Sequence, residues 1–326
     1  MDQTGLIRYL GEDWRRMEAK MAGALSSDIT LLGEVNDRLL LRGGKMLRPA
    51  VCLLSARACT GGVTTDDTII FAASAQMLHN ATLLHDDVVD NSQQRRGEPT
   101  VSSLLGGTSS VLIGDFWLVR AMELILQSSR SNKEVIQLFS NTLSHLAEGE
   151  MLQLQKARVC DTSMDDYLRI IYSKTASLFE ATCLSAAISV DAVEHQRSAL
   201  REYGIRLGLA FQIRDDILDY NGKDLGKPTG VDLREHKITL PLLGALAKVD
   251  DERNRRVRQM VCDIDAHPEY VSMIEEFVQA ESGLEFAESK LEEFAFGAVE
   301  ALSPLPDSRD KELLCELAMY NVKREI

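Results

Sequence analysis

The sequence predicts an all-α fold in a single domain that spans residues 1–326. All seven prolines fall at expected element starts or in loops, so residues 100–227 lack the strongest helix breaker. Apolar residues recur at helical spacing, and no segment shows the sustained two-residue alternation of a strand. We therefore expect one large helical bundle of roughly ten or more helices.

Five segments carry the predicted long helices, and each has apolar residues spaced three or four apart. In chain order they are residues 68–90, 110–126, 134–155, 166–190 and 199–219. Two polar segments that contain Gly and Pro are predicted to be loops. These are residues 91–100 and 221–237, and each directly follows a carboxylate cluster.

Composition and charge exclude several classes of partner. Lys and Arg total 36 against 50 Asp and Glu, a formal net charge of -14, which disfavours nucleic acid or a broad anionic surface as a partner. The six cysteines form no CxxC pair, so we expect reduced core residues rather than a zinc site or a disulfide framework. The N-terminus is unlike a signal peptide and no run of 18 apolar residues occurs, which predicts a cytoplasmic chain.

The stretch LLHDDVVDNSQQRRG, residues 83–97, holds a first acidic cluster of Asp86, Asp87 and Asp90. Residues four apart lie on one helical face, so Asp86 and Asp90 project the same way and Asp87 points to the side. A solvated helix end is the alternative for an isolated acidic triplet. Leucines and valines interleave with these acids, however, and acids beside buried surface cost stability unless a cation compensates.

The same Asp-Asp-x-x-Asp spacing recurs at Asp215, Asp216 and Asp219, again at the end of an apolar helix. If the two helices face each other in a bundle, their carboxylates form an oxygen-lined site suited to Mg²⁺, which takes one or two carboxylates, waters and phosphate oxygens. Such a site suggests a diphosphate ligand. Its remaining countercharge would come from Arg95, Arg96, Lys227 and Lys237.

Four ordered motifs together resemble the trans-polyprenyl diphosphate synthases of the all-α isoprenoid synthase family. They are GGKMLRP at 43–49, the first acidic stretch at 83–97, KTA at 174–176, and FQIRDDILD with LGKPTGVDLREHKITLPLL at 211–243. A single acidic motif is weak evidence, but this ordered set is specific. The resemblance runs from about residue 30 to 320.

The resemblance implies a Mg²⁺-dependent prenyltransferase. Such an enzyme condenses isopentenyl diphosphate with an allylic diphosphate, here farnesyl or geranylgeranyl diphosphate, through an allylic cation. No protein nucleophile is needed, which agrees with the lack of a Ser/His/Asp or Cys/His arrangement around the six histidines. The resemblance also implies the isoprenoid synthase type of bundle, with a central cavity, and a homodimer. It leaves open a transient membrane contact during product release.

The resemblance assigns roles to residues that match the family motifs. Asp86 and Asp90 are the expected direct Mg²⁺ ligands of the first cluster, and Asp215 is the main ligand of the second. Metal waters or neighbouring side chains would be held by Asp87, Asp216 and Asp219. The allylic diphosphate would be held by Arg95, Lys174, Lys227 and Lys237. Isopentenyl diphosphate would be held by Lys45, Arg48, His79 and Arg96. Oxygens of Thr175 and Gln212 would lie near the developing cation.

Lys45 and Arg48 are three residues apart, so we expect one helical turn to aim both at the same phosphate. The neighbouring His85 is assigned to packing. The C-terminal Lys323 and Arg324 are predicted to fray rather than to close over the site.

Product length is predicted from the helix that ends at Asp86. The growing chain should run toward the N-terminus of this helix, where one turn of about 5.4 Å matches one isoprene unit. Short-chain members of the family typically carry a bulky aromatic where this sequence has Ala81 and Thr82, and the small Ser74 lies beyond a partial constriction at Leu78. We therefore predict a product of about C30 to C50 for quinone side chains. The alternative is a tunnel that is blocked by the ring of Phe116 or of Trp117 on the next helix.

Other classes of function fit the sequence less well. A short-chain farnesyl or geranylgeranyl diphosphate synthase remains the main alternative. A class I terpene cyclase would normally replace the second acidic motif and lack Lys45, Arg48 and Arg96. A di-iron bundle would need Glu-x-x-His pairs, which the sequence lacks. A silent partner subunit should have lost aspartates, yet both clusters are intact.

Overall fold

The computed structural model describes residues 3–41, 44–95, 97–129, 132–221 and 230–323. Arg96, Lys227 and Arg324 lie outside these ranges, so what was expected of them stays a prediction. Helices dominate these ranges, and the strands in them form one short antiparallel hairpin, β1 (Gln94–Arg95) with β2 (Glu98–Pro99). The prediction of an all-α fold is confirmed.

The helices follow the predicted segments closely. Those of the N-terminal half are α1 (Gln3–Ala24), α2 (Thr30–Leu41), α3 (Leu47–Thr60), α4 (Asp66–Val89), α5 (Val101–Leu105), α6 (Gly107–Leu126) and α7 (Asn132–Val159). Next come α8 (Met164–Ile171), a π-helical turn (Tyr172–Ala176), α9 (Ser177–Ser189) and α10 (Glu194–Asn221). The remainder are α11 (Val231–Arg234), α12 (Leu240–Leu246), α13 (Asp251–Cys262), α14 (Tyr270–Ala280), α15 (Gly283–Ala301) and α16 (Arg309–Lys323). None of the helices in these ranges combines the length and the apolar character that a membrane span requires.

The chain divides into two compact units. The first contains Met1–Phe139, Ala181–Leu200 and Pro304–Leu314, and the second contains Ser140–Glu180, Arg201–Ser303 and Cys315–Ile326. Each unit carries one of the two acidic clusters. The predicted single domain with a central cavity stays a prediction.

Helix α4 is the central element of the first unit. It starts at a capping box in which the Thr65 side chain accepts from the backbone N–H of Thr68, and two acidic residues in the first turn suit the helix dipole. Twelve consecutive residues, 67–78, are buried, because α4 packs against α1, α3 and α6. Helix α6 approaches closely at Gly114, where a Cβ would lie 2.4 Å from His85 Nε2. This packing fixes the C-terminal end of α4, which carries the first cluster.

The second unit is built around α10 and α12. Ile213 and Ile217 of α10 are fully buried in a large apolar cluster, so the polar residues between them are held at fixed positions beside that core. Helix α12 is buried on all sides, as expected for a helix that is apolar all round. Its Gly244 lies so close to Phe286 of α15 that a Cβ would be 2.5 Å from the ring.

Two of the six cysteines form a disulfide. Cys160 follows α7 and Cys262 ends α13, and their Cα atoms are 5.9 Å apart although 102 residues separate them in sequence. The prediction that all six cysteines are reduced is therefore wrong for this pair. Spacing along the chain could not show the pairing, because only tertiary packing brings the two helix ends together. The cysteines that form no disulfide among the described residues are Cys52, Cys59, Cys183 and Cys315.

Candidate active site

The first acidic cluster lies at the C-terminal end of α4. Asp86 is half-buried in the last turn and Asp90, the residue after the helix, is exposed. The backbone N–H of Asp90 donates to the carbonyl of Asp86 at 2.8 Å, so the helical geometry continues across the motif. Between them Asp87 is only 4% exposed. The outer two acids are therefore accessible to a ligand, and the middle one faces protein.

Asp87 is paired with Arg95. The guanidinium Nε of Arg95 donates to Asp87 Oδ1 at 2.8 Å, a charge-assisted hydrogen bond to a nearly buried carboxylate. Both side chains line a cavity of about 240 Å³ in the first unit, together with Asn80 and Leu83 of α4. Arg95 thus neutralises a charge inside this cluster, while its predicted contact with a diphosphate stays a prediction.

The GGKMLRP motif leads into α3. Lys45 lies in a turn before the helix, because Met46 has the left-handed backbone conformation (φ 42°) and α3 begins at Leu47. The expectation that Lys45 and Arg48 share one helical turn is therefore wrong. Arg48 lies in the first turn and is 8% exposed, and burial lowers the pKa of its guanidinium to about 9.

A buried cation at a helix N-terminus suits an anionic ligand. The positive end of the helix dipole attracts anions, and a phosphate would stabilise the charged form of Arg48. His79, assigned to the same ligand, is half-buried on α4. His85 lies 3.2 Å from the Asp115 carboxylate and 3.3 Å from the carbonyl of Val111, so it packs against α6 as expected.

The second acidic cluster lies near the C-terminal end of α10. Asp215 is exposed, Asp219 is half-buried and the middle residue, Asp216, is 3% exposed. Asp216 accepts hydrogen bonds from the Tyr167 hydroxyl at 2.6 Å and from the Gln212 amide at 2.9 Å. Burial raises the pKa of Asp216 to about 6, although both hydrogen bonds oppose that shift.

Asp219 and Asp232 extend the negative charge of this cluster. The Asp219 carboxylate accepts from the backbone N–H groups of Val231 and Asp232, both at 3.1 Å, and so holds the start of α11. Burial raises the pKa of Asp219. It also raises the pKa of Asp232 well above its ordinary value, and repulsion by Asp216 and Asp219 adds to that shift. Sequence reasoning missed Asp232, although it lies in the quoted motif VDLREHK.

The donor set of both clusters fits a divalent cation such as Mg²⁺. Crowded carboxylates that repel one another are stabilised by a dication, and Mg²⁺ prefers oxygen ligands. Among the residues that the structure describes, no three or more His, Cys, Asp or Glu side chains surround a point that could hold a metal. This is compatible with Mg²⁺, because that ion keeps several waters and takes only one or two carboxylates beside phosphate oxygens.

Lys174 and Thr175 lie on the π-helical turn. Two close approaches accompany this turn: a Cβ on Gly149 of α7 would be 2.6 Å from Ser173 Cβ, and one on Gly208 of α10 would be 2.4 Å from Ala176 Cα. Such turns often occur at functional sites. Only glycines allow α7 and α10 to pack this tightly on either side of it.

The turn directs its polar side chains to defined partners. Lys174 Nζ is 2.5 Å from Glu150 Oε2, and Thr175 Oγ1 donates to Gln212 Oε1 at 2.7 Å. A cavity of about 120 Å³ in the second unit brings together four of the predicted residues, namely Lys174, Gln212, Asp216 and Lys237. Lys237 is hydrogen-bonded to Glu235. Sequence reasoning missed Tyr167 and Glu150, because neither lies in one of the quoted motifs.

The residues predicted to control product length lie on α4. Ser74, Leu78 and Ala81 are fully buried, and Thr82 is half-buried. The Ser74 hydroxyl donates to the carbonyl of Ala121 on α6 at 3.2 Å. Trp117, whose ring is the alternative candidate for blocking the tunnel, is also fully buried. Its indole N–H donates to Asn36 of α2 at 2.8 Å. The role of these residues in product length stays a prediction.

Fold and site together define a class of protein: an all-α chain with carboxylate clusters at the ends of two helices and cationic side chains next to them. A family model described as polyprenyl synthetase matches residues 29–279. The chain is 37% identical to octaprenyl diphosphate synthase of Escherichia coli strain K12 over 327 residues, covering 100% of both chains. The chain belongs to the polyprenyl synthetase family, whose members are prenyltransferases that use a divalent metal.

Solved structures agree with this assignment. A decaprenyl diphosphate synthase from Rhodobacter capsulatus has a TM-score of 0.91 and 37% identity, with 100% of both chains covered. A polyprenyl synthase from Caulobacter crescentus CB15, complexed with calcium and isoprenyl diphosphate, has a TM-score of 0.90 and 34% identity. That comparison covers 100% of this chain and 98% of the other. The predicted isoprenoid synthase type of fold is confirmed.

Proposed function

We propose that this chain is a Mg²⁺-dependent prenyltransferase that condenses isopentenyl diphosphate with an allylic diphosphate into a long all-trans polyprenyl diphosphate. The observation that carries the proposal is the repeated acidic cluster at a helix end in a chain that matches octaprenyl and decaprenyl diphosphate synthases over its whole length. We infer a product of about C30 to C50, of the kind used for quinone side chains. The reason is that α4 has small residues, Ser74, Ala81 and Thr82, along the predicted tunnel.

The metal ligands follow from exposure and spacing. Asp86 and Asp90 are one helical turn apart and reachable in the first cluster, and Asp215 is exposed in the second. Bound Mg²⁺ acts as a Lewis acid that neutralises charge on the leaving diphosphate and so favours loss of that group. The calcium and isoprenyl diphosphate in the Caulobacter crescentus structure are support for a divalent cation beside a prenyl diphosphate in this family.

Cationic side chains hold the phosphates. Lys174 and Lys237 line the same cavity as Asp216, and we assign them to the allylic diphosphate together with Arg95 and Lys227. Arg48, whose charged form is destabilised by burial, is assigned with Lys45, His79 and Arg96 to isopentenyl diphosphate. The contacts to the allylic diphosphate would stabilise the negative charge that grows on it as its C–O bond breaks, and those to isopentenyl diphosphate would hold its double bond in position for attack.

The hydroxyl of Thr175 stabilises the allylic cation. Its proton is donated to Gln212, so the lone pairs of its oxygen are free to face an electron-poor carbon. Catalysis then consists of placing the two substrates and stabilising separated charge, without a covalent enzyme intermediate. The resemblance supports a homodimer as the active form and a transient membrane contact when the apolar product leaves.

Incubation of the purified protein with Mg²⁺, isopentenyl diphosphate and farnesyl diphosphate tests this function, with products separated by chromatography and measured by mass spectrometry. We expect a ladder of products that ends at one species within about C30 to C50. Termination at C20 would contradict the long-chain assignment and retain the chemistry. Absence of product with farnesyl, geranyl or geranylgeranyl diphosphate, for protein shown to be folded by circular dichroism, would contradict the proposed function.

A further inference from the structure

Tyr167 is a buried tyrosine beside the second acidic cluster, and none of the recognised motifs includes it. Its side chain is 3% exposed and lines the cavity that contains Lys174 and Lys237. Its hydroxyl donates to Asp216 Oδ2 at 2.6 Å. Burial and the nearby carboxylate raise the pKa of Tyr167 well above its ordinary value, so the hydroxyl keeps its proton and remains a donor.

The hydrogen bond from Tyr167 is the first of three in a row. Gln212 Nε2 donates to the other oxygen of the Asp216 carboxylate at 2.9 Å, and Thr175 Oγ1 donates to Gln212 Oε1 at 2.7 Å. We call Tyr167, Asp216, Gln212 and Thr175 the relay. It starts in α8, crosses to α10 and returns to the π-helical turn that directly follows α8, so it connects two segments of the second unit.

The chemistry of the relay fixes its direction. An ionised carboxylate only accepts hydrogen bonds, so the amide of Gln212 must turn its NH₂ group toward Asp216. Its carbonyl oxygen then faces Thr175 and can only accept, which obliges the Thr175 hydroxyl to donate. As a result, the lone pairs of the Thr175 oxygen point away from the relay, which is the orientation that a cation-stabilising group needs.

We propose that Tyr167 is a positioning residue for prenyl transfer, which acts through Asp216 and Gln212 to orient the hydroxyl of Thr175. The role rests on the proposed function and deepens it. Both carboxylate oxygens of Asp216 accept from protein donors in the relay, so this acid serves to orient its neighbours, whereas Asp215 is exposed. Tyr167 itself touches no reacting atom in this account.

The substitution Tyr167→Phe tests the proposal, because it removes the hydroxyl and keeps the ring that fills the cavity wall. We expect kcat to fall about 10- to 100-fold, the effect of misplacing a catalytic group by a fraction of an ångström to one ångström. The KM values of both substrates and the Mg²⁺ concentration at half-maximal rate should change less than about threefold, since the diphosphate and metal contacts remain. A wild-type kcat in Tyr167→Phe would overturn the proposal.

A double-mutant cycle separates positioning from loss of packing. Thr175→Val removes the hydroxyl at the far end of the relay, and members of one hydrogen-bond network are non-additive. We expect the double variant Tyr167→Phe/Thr175→Val to have a kcat within about threefold of the slower single variant. If the two reductions in kcat simply multiply, the residues act independently and the relay has no joint function.

Tyr9 provides a matched control. Its hydroxyl also donates to a carboxylate, Asp310 Oδ1 at 3.1 Å, but this pair belongs to the first unit and to no acidic cluster. Tyr9→Phe should leave kcat unchanged, and an equal fall in both variants would overturn the positioning role. If the wild-type enzyme forms no product, the proposed function itself is contradicted, and the role of Tyr167 is contradicted with it. A normal wild-type rate with an unaffected Tyr167→Phe contradicts only the positioning role.

Discussion

The chain carries the spacing Asp-Asp-x-x-Asp twice, and the two copies have different surroundings. In both, the middle acid is the buried one: Asp87 is 4% exposed and Asp216 is 3% exposed. Asp87 is paired with a cation, the guanidinium of Arg95. Asp216 instead accepts from two neutral donors, the hydroxyl of Tyr167 and the amide of Gln212.

The comparison shows that the spacing of the motif determines where its side chains point, but not which groups balance their negative charge. On a helix, the second residue of the motif is turned about 100° from the first, so it faces the core whenever the outer two face a ligand. What it meets there depends on other segments of the chain. Arg95 compensates the charge of Asp87 within the protein, whereas burial raises the pKa of Asp216 and leaves its cluster more dependent on an external cation.

The largest effect is expected from the outer acids. Asp86→Asn and Asp215→Asn should each lower the rate at least about 10³-fold at saturating substrate, because each removes a charged ligand that stabilises the leaving group. Asp87→Asn and Asp216→Asn should cost about 10- to 100-fold, since they disturb orientation only. Initial rates with isopentenyl and farnesyl diphosphate measure all four. Equal losses of rate in the outer and middle variants would contradict the different roles assigned to these acids.

Product length should depend on the helix of the first cluster. Ala81→Phe places a ring five residues before Asp86, one to two turns along the predicted tunnel, and products should then end at about C20. Mass spectrometry of the extracted products gives the result. Ala81→Ser serves as the control with a small side chain and should keep the wild-type length. An unchanged product in the folded Phe variant would refute the assignment of α4 as the tunnel wall.

The second cluster should be sensitive to the π-helical turn. In Gly208→Ala the new Cβ would lie 2.4 Å from Ala176 Cα, so the turn must shift, with a loss of about 1 to 3 kcal/mol in the free energy of unfolding. Activity should fall about 100-fold as Thr175 moves. Gly23→Ala on α1 is the control, because nothing lies within 4 Å of its Cβ. Wild-type activity in Gly208→Ala would show that the turn does not position the site.

The smallest effect is a pH dependence of stability in metal-free protein. The pKa of Asp216 is raised from 3.8 to about 6, so between these values the folded chain binds more protons than the unfolded chain. The contribution of Asp216 to the free energy of unfolding should therefore decrease as pH rises from about 4 to about 6, and remain low above. Urea unfolding in EDTA at pH 5 and pH 7 measures it for the wild type and Asp216→Asn. A difference between these pH values that is no smaller in Asp216→Asn would contradict the assignment.

Much of the fold could be predicted from the sequence. Helical spacing and proline placement are local properties, so α4, α6, α7 and α10 occur where the pattern indicates. The side-pointing middle acids also follow from helical geometry alone. The π-helical turn at Tyr172–Ala176 could not be predicted, because its apolar spacing is that of the flanking α-helices and it depends on glycines from α7 and α10.

The partners of the site residues were beyond sequence reasoning. The pairing of Arg95 with Asp87 was not expected, because Arg95 was assigned to the allylic diphosphate and Asp87 to metal waters or neighbouring side chains. Tyr167 and Glu150 lie outside the motifs and reach the site only through tertiary packing. Lys45 was placed on a helical turn, yet the positive φ of Met46 ends that pattern before α3 begins.

The different roles of outer and middle acids are tested most directly by the Mg²⁺ dependence of the rate. The variants to compare are Asp86→Asn, Asp87→Asn, Asp215→Asn and Asp216→Asn. We expect the Mg²⁺ concentration at half-maximal rate to rise at least about tenfold in the two outer variants, because each loses a ligand of the metal. In the two middle variants it should stay within about threefold of the wild-type value, because their carboxylates are held by protein donors. A rise in the middle variants as large as in the outer ones would contradict the division of each cluster into metal ligands and a positioning acid.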